Sequence, residues 1–464
     1  MKIQGLSNHG FFTPARLGEY VPLALFAYIS FVPFYYLEPI ALGTQVPSFV
    51  FLKYLPLLLV AFLAGLWLIG LRQHRQPVRR LAAAPWGALY LAISLLSLCG
   101  AAYPEIGIVK WGYYSATGML FGWILAQLLD SQYAVHRLVR GIALVAGVCA
   151  AYTLLSHWLG KDLLWDEIKR QNNPYYGGTW RAAAPFGNAI STASYMSLCC
   201  PFICWEAWRR GPLQRRAAFA ALALMALMVT LLSQSRGGWL AIGTAALVAG
   251  LALAWQGCRR QPRARVATIV LVALLALPVA WQLLQTTGLH RIFAPQIAYM
   301  EHRASLLSGS KLGQTEHFRL AQFDNVVEIL SQHPFLGIGF GNFTRYFEDH
   351  RATLFPGEQS SPFHTTDNMY LMFAAETGIT GLLAAIALLA VLLWRVGSTW
   401  HHLQGADRGL LMAFMAGASG FLANMTTWDS LNDPTLRLAF WMLAGVALTL
   451  STFTSTGTTG ATDH

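Results

Sequence analysis

Charge is what this sequence has least of. Only 11% of its 464 residues are Asp, Glu, Lys or Arg, against about 25% in a soluble globular domain. With 55% hydrophobic residues, the chain cannot cover itself with a polar surface. Acids are scarcer than bases, 21 against 32, which leaves a net charge of +11. In a soluble protein that excess would point to nucleic acid. Here most basic residues stand in short loops between apolar blocks, where they set orientation in a membrane, so nucleic-acid binding is excluded. Cysteine is also sparse. Of Cys99, Cys149, Cys199, Cys200, Cys204 and Cys258, all but the last lie in apolar blocks. None has CxxC or zinc spacing, so all read as small packing residues. The first residues lack a basic region, a compact apolar core and a small-residue cleavage site, and are expected to remain uncleaved.

What is present is a series of apolar blocks of about 20 residues, the length that crosses a hydrocarbon core. They predict an all-α polytopic membrane protein with about twelve transmembrane helices: 18–37, 48–70, 82–102, 107–128, 141–159, 189–207, 217–233, 237–256, 266–284, 369–394, 409–425 and 436–453. This divides the chain into spans 1–9 over residues 1–284, with a short loop at 160–188, then a loop domain at 285–368, spans 10–12 over 369–453 and a tail at 454–464. Arg72, Arg75, Arg79 and Arg80 follow span 2, and Arg137 and Arg140 follow span 4. Arg209, Arg210, Arg215 and Arg216 follow span 6. Arg259, Arg260, Arg263 and Arg265 follow span 8, and Arg395 and Arg408 follow span 10. All five loops lie on one side when both termini are cytoplasmic, which puts 160–188 and 285–368 outside. The long loop is expected to fold. "EHFRLAQFDNVVEILSQHP" (Glu316 to Pro334) has helical spacing, and the glycine-rich "FLGIGFGNF" follows it.

Arginines on the outer side need a reason. Arg181 precedes span 6, Arg236 sits in the tight turn between spans 7 and 8, and Arg319 lies in the long loop. Each is either an interfacial arginine snorkelling to water or part of a functional interior. Together they predict a shared anion, because guanidinium binds phosphate bidentately and keeps its charge. A diphosphate at the outer membrane face meets that demand. Lys110 in span 4 is a further phosphate contact or a snorkelling lysine. Lys161, Lys169 and Arg170 read as a solvated face, and Glu376 as a bond to a neighbouring helix. His333 before Pro334 reads as a helix C-terminal cap. Gly337, Gly339 and Gly341 form G-x-G-x-G without a βαβ unit around them, a weak nucleotide motif. At 364–368 a polar cluster, "HTTDN", opens span 10. Either the His364 imidazole or the Asp367 carboxylate has the chemistry of a general base. Asp367 has a second reading as the helix N-cap.

Four stretches resemble one family. They are "RAAAPFGNAISTASYMSLCCP", "SQSRGGWLA", "FRLAQFDNVVEILSQHPFLGIGFGNF" and "DNMYLMFAAETGITG". In order and spacing they resemble the O-antigen ligase and O-antigen polymerase superfamily of membrane glycosyltransferases, over about residues 80 to 450. The last stretch keeps the ligase signature's asparagine, nine residues, then glycine, here Asn368 and Gly378. It departs at one position: the family's histidine before the asparagine is Asp367 here, with His364 three residues earlier. The resemblance implies a metal-independent, inverting transfer at the periplasmic face of the bacterial inner membrane, without a cofactor. The donor would be a glycan on undecaprenyl diphosphate, and the acceptor a sugar hydroxyl of lipid A-core in lipopolysaccharide biosynthesis. Arg181, Arg236 and Arg319 fall where the family places its diphosphate-binding arginines, with Asn368, Gly378, His333 and Lys110 in support. If 364–367 is helical, His364 and Asp367 share a face, and either is the base, a role that contributes about 10²–10⁴-fold. A polymerase using the same donor is the alternative. A protein O-oligosaccharyltransferase and a lipid-linked sugar transporter are remoter ones.

Overall fold

The computed structural model describes residues 14–31, 50–72, 78–164, 181–260, 314–354, 366–400 and 402–456. Every regular element among them is helical: α1 (Pro14–Phe31), α2 (Val50–Arg72), α3 (Ala84–Leu96), α4 (Pro104–Ser115), α5 (Phe121–Leu128), α6 (Gln132–Leu159), α7 (Ala189–Trp208), α8 (Leu213–Leu232), α9 (Arg236–Arg260), α10 (Gln314–Gln332), α11 (Phe343–Leu354), α12 (Met369–Trp400), α13 (Gly405–Asn424) and α14 (Pro434–Thr456). A π-helical turn, Ala116–Leu120, joins α4 to α5 and bends at Gly118. Each predicted span except the ninth overlaps one of these helices. The ninth, 266–284, lies outside the described residues.

Among the described residues six stretches are long and apolar enough to cross a membrane: Tyr54–Arg72, Gln132–Leu159, Leu213–Leu232, Arg236–Leu253, Met369–Trp400 and Pro434–Phe453. The helices α7 and α13, both twenty residues long, are not among them. Their lower apolarity has a packing reason. α7 sits in the middle of the bundle, against α6, α8, α9, α13 and α14. Its Ser191, Thr192, Ser194 and Ser197 are buried. Three of them return hydrogen bonds to backbone carbonyls, for example Ser194 Oγ to Ile190 O at 2.8 Å and Thr192 Oγ1 to Ala183 O at 3.0 Å. A helix surrounded by protein needs small residues for close approach more than apolar ones for lipid. At Gly417 of α13 an added Cβ would come 2.5 Å from Leu198 O of α7.

A smaller core lies beside the bundle. Val326 and Ile329 of α10, Ile338 of the glycine-rich loop and Phe343 and Phe347 of α11 pack on Met372, Ala374 and Ala375 of α12. The loop is held there by backbone pairing at a break in α12. Ile338 N donates to Ala375 O and Gly339 N to Glu376 O, both at 3.0 Å, while Ile379 N donates to Pro334 O at 2.9 Å. The break is Gly378, at φ 67° and ψ −172°. A Cβ there would collide with the carbonyl of Phe335, and the conformation itself is one that only glycine adopts readily. The Gly337, Gly339 and Gly341 backbones are likewise left-handed, at φ 63°, 97° and 75°. The loop's far side rests on the α3–α4 connection, with Phe340 N on Ser97 Oγ at 3.0 Å and Asn342 Oδ1 accepting from Tyr103 N at 3.1 Å. G-x-G-x-G therefore closes a helix–loop contact, and the nucleotide reading falls away.

Candidate functional site

The turn that carries Arg236 is built from small polar residues. α8 ends at Leu232, and α9 starts at Arg236. Between them Ser233, Gln234 and Ser235 are buried, with Gln234 left-handed at φ 53°. Ser233 Oγ donates to Thr230 O at 2.6 Å, and the Gly238 amide donates to Ser235 Oγ at 3.2 Å, which caps the first turn of α9. Arg181 lies on the same turn from the other side. Its Nε donates to Ser233 O at 2.7 Å, and Ala182 N donates to Leu232 O at 3.1 Å. Both arginines are half-buried.

The end of α13 links this turn to the start of α12. Gly237 lies so close to Asn424 and Thr427 that a Cβ would overlap their side chains. Asn424 Oδ1 accepts from Thr427 Oγ1 at 2.9 Å, and its amide donates to Ser194 Oγ of α7. One residue on, Met425 O accepts from Met369 N, the first residue of α12, at 2.8 Å; Tyr370 OH donates to Leu422 O at 3.0 Å. Arg181, Arg236 and the 366–369 segment thus converge on one end of the bundle.

At that segment Asn368 is the N-cap: its Oδ1 accepts from Tyr370 N at 2.9 Å and Leu371 N at 3.2 Å. This corrects the capping alternative for Asp367. Asp367 is buried, at 7% exposure, and its backbone is left-handed at φ 47°. Aspartate tolerates that region better than most residues, and strained backbone of this kind gathers at functional sites. Residues 366–368 precede the helix, so Asp367 does not meet the helical condition on which a shared face with His364 depended. His364 itself lies outside the described residues.

The other predicted residues are scattered. Arg319 is on α10, and its side chain lies outside the described residues. His333 follows the end of α10 and is exposed; its carbonyl accepts from Gly337 N at 3.1 Å. Lys110 Nζ donates to Gly341 O at 2.8 Å. The buried Glu376 carboxylate, near Lys110, accepts from Phe343 N at 3.3 Å and from the Gly341 amide. Glu376 was expected to bond to a neighbouring helix; it bonds to the docked loop and to the first residue of α11. Gly378 supplies the break described above.

Two residues escaped the sequence reading. Asp433 caps α14 through Oδ1, which accepts from Thr435 N at 2.8 Å and Leu436 N at 3.3 Å. Burial pushes its carboxyl above the usual carboxylate range, against the opposing pull of Ser191, the two amides and Arg437. Arg437 is 3% exposed. Its signal was in the sequence: it is an arginine inside an apolar block that was counted only as a span.

An α-helical bundle with six helices among the described residues long and apolar enough to cross a membrane defines the class, a multi-pass membrane protein. Residues 220–386 match the family model described as O-antigen ligase, and over these residues the chain carries a domain of that family. The matched stretch begins within α8 and ends within α12. It includes Arg236, Arg319, His333, His364, Asp367, Asn368 and Gly378, and leaves out Lys110, Arg181 and Arg437. No curated protein matches the chain.

Proposed function

We propose that the protein is an O-antigen ligase-like glycosyltransferase that moves a glycan from undecaprenyl diphosphate to a sugar hydroxyl of lipid A-core, at the periplasmic face of the inner membrane. The observation that supports the reading is the meeting of three segments at one end of the bundle: Arg181 donates to Ser233 O in the turn before Arg236, Gly237 lies against Asn424 and Thr427, and Met369, two residues after Asp367, donates to Met425 O. The donor diphosphate lies against Arg181 and Arg236, and Arg319 is the third cation assigned to it. The acceptor hydroxyl gives its proton to Asp367 or His364 as its oxygen attacks the anomeric carbon. The bond from that carbon to the diphosphate oxygen breaks, and the electron pair leaves with undecaprenyl diphosphate, inverting the anomeric centre. Charge builds on the leaving oxygens, and fixed guanidinium groups stabilise it more than they stabilise the bound donor. The arginines supply the positive charge, so no metal ion is required.

A second reading has a specific observation behind it. The residue before Asn368 is aspartate where the family's ligase signature has histidine, which leaves room for a polymerase that passes the glycan to another lipid-linked unit. Deletion of the coding sequence in the native host, followed by a lipopolysaccharide gel, separates the two. Loss of every band above lipid A-core supports the ligase. Retention of a single-repeat band overturns it in favour of the polymerase, and an unchanged ladder overturns both.

A further inference from the structure

The end of the bundle that the charge rule assigns to the cytoplasm carries more cations than its acids can match. Those acids are taken. Glu206 meets Arg140 at 3.4 Å and Arg209 at 3.2 Å. Asp407 meets His136 at 2.5 Å, and Asp130 acts on Arg79. Arg80 and Arg395 are left over: neither guanidinium has a hydrogen-bond or ion-pair partner among the described residues.

Both line one cavity of about 160 Å³, room for about ten waters and so for a phosphate ester. Arg80 and Ala82 come from the α2–α3 connection, Arg395 from α12, and Leu448, Ser451 and Thr452 from α14. No carboxylate is among these lining residues. The two hydroxyls spend their protons within α14, Ser451 Oγ on Leu448 O at 2.7 Å and Thr452 Oγ1 on Thr449 O at 2.8 Å. The charge the cavity offers a ligand is therefore that of the two arginines.

The neighbouring arginine shows how the connection is held. Arg79 Nη1 donates to Ala126 O at 2.9 Å and to Leu129 O, and its Cζ lies 5.1 Å from the centroid of the Phe453 ring. Its backbone pairs with the Gln127 side chain, N to Oε1 at 2.7 Å and O from Nε2 at 3.0 Å. Arg79 is spent on fastening the connection to the end of α5 and to α14, and Arg80 is thereby presented, exposed, at the rim of the cavity. On the other wall Trp394, 66% exposed, stands next to Arg395. Exposed tryptophan beside a basic residue belongs at the headgroup level of a bilayer.

We propose that this cavity binds the headgroup of an anionic phospholipid of the cytoplasmic leaflet, with Arg80 and Arg395 sharing its phosphate and the acyl chains outside the bundle beside Trp394. Guanidinium takes phosphate bidentately and keeps its charge, and basic pockets between membrane helices on the cytoplasmic side suit such headgroups. A bound lipid ties the α2–α3 connection to α12 and α14. The site is at the far end of α12 from Met369 and the Arg236 turn, and it does not depend on the glycosyl-transfer reading. Free phosphate has the same chemistry, and the experiment separates the two sources.

The test is native mass spectrometry of the purified full-length protein in detergent, titrated with dioleoyl phosphatidylglycerol, with dioleoyl phosphatidylcholine and inorganic phosphate as the comparison ligands. The wild type is expected to hold one phosphatidylglycerol at least tenfold more tightly than phosphatidylcholine, and inorganic phosphate at the same concentration should not displace it. Arg80→Gln and Arg395→Gln should each weaken binding about fivefold, and the double variant about 25-fold. Ala82→Trp fills the cavity from an exposed position and keeps both charges, so it should weaken binding as much as either single variant. Arg210→Gln removes an exposed charge from the same end, away from the cavity, and should leave binding unchanged. Equal weakening by Arg210→Gln would make the effect one of overall surface charge and overturn the site, and so would tight binding that Ala82→Trp leaves intact. Equal affinity for phosphatidylcholine would remove the role of the arginines. Displacement by inorganic phosphate would overturn the lipid assignment in favour of a free anion.

Discussion

Two regions meet on α12 and handle buried polarity in opposite ways. Where the glycine-rich loop docks, the polar groups pair within the protein: Glu376 with the loop amides, Lys110 with Gly341 O, and the exposed carbonyls of the α12 break with Ile338 and Gly339. Around Arg437 the pairing stops short: its Nη2 is buried with no hydrogen-bond partner among the described residues. The closed region is architecture. The open one leaves a buried donor pair unmade. Buried polar groups are costly to leave unmade, so an incomplete set is informative in a way that a complete set is not.

The comparison is broken most severely at the α12 break. Gly378→Ala introduces both a steric overlap with Phe335 and an unfavourable left-handed backbone, and should cost about 3–5 kcal/mol. The expected outcome is loss of folded protein, read by thermal unfolding of detergent-purified material; a transition unchanged from wild type would contradict the docking account. Next in size is Arg236→Ala, expected to lower glycan transfer by about 10²–10³-fold with the melting temperature nearly unchanged. Equal losses in both would make Arg236 structural. Lys110→Met removes a charged hydrogen bond to the loop and should cost about 1.5–3 kcal/mol, seen as faster proteolysis around 333–342. Asn368→Ala removes the α12 cap and should cost about 1 kcal/mol, while Asn368→Asp, which keeps the acceptor, should recover most of it in the same unfolding measurement.

These effects also mark what was legible in advance. Apolar block lengths located the helices, and the periodicity from Glu316 to Pro334 located α10, because both signals are local. Arg236 and Arg181 were visible as violations of a charge rule. The Asn368-to-Gly378 spacing was visible too, but its meaning was not. Spacing reports register along a helix, whereas the partners, the Phe335 carbonyl and the α12 amides, come from folding. Asn368 takes the capping role first offered to Asp367, because a cap depends on which residue has its backbone outside the helix, and composition does not report that. Arg437 was hidden for a related reason. Inside an apolar block it counts as one charge in a span, and only the packed structure shows that its Nη2 is left over.

The measurement closest to the central claim is transfer of glycan from its undecaprenyl-diphosphate carrier to lipid A-core by the purified protein in excess EDTA. If Arg181, Arg236 and Arg319 hold and neutralise the leaving diphosphate, the wild type retains its full rate in EDTA and Arg236→Ala stays at least a hundredfold slower. Loss of wild-type transfer in EDTA that a divalent ion restores would contradict the account, because the positive charge on the diphosphate would then come from a metal.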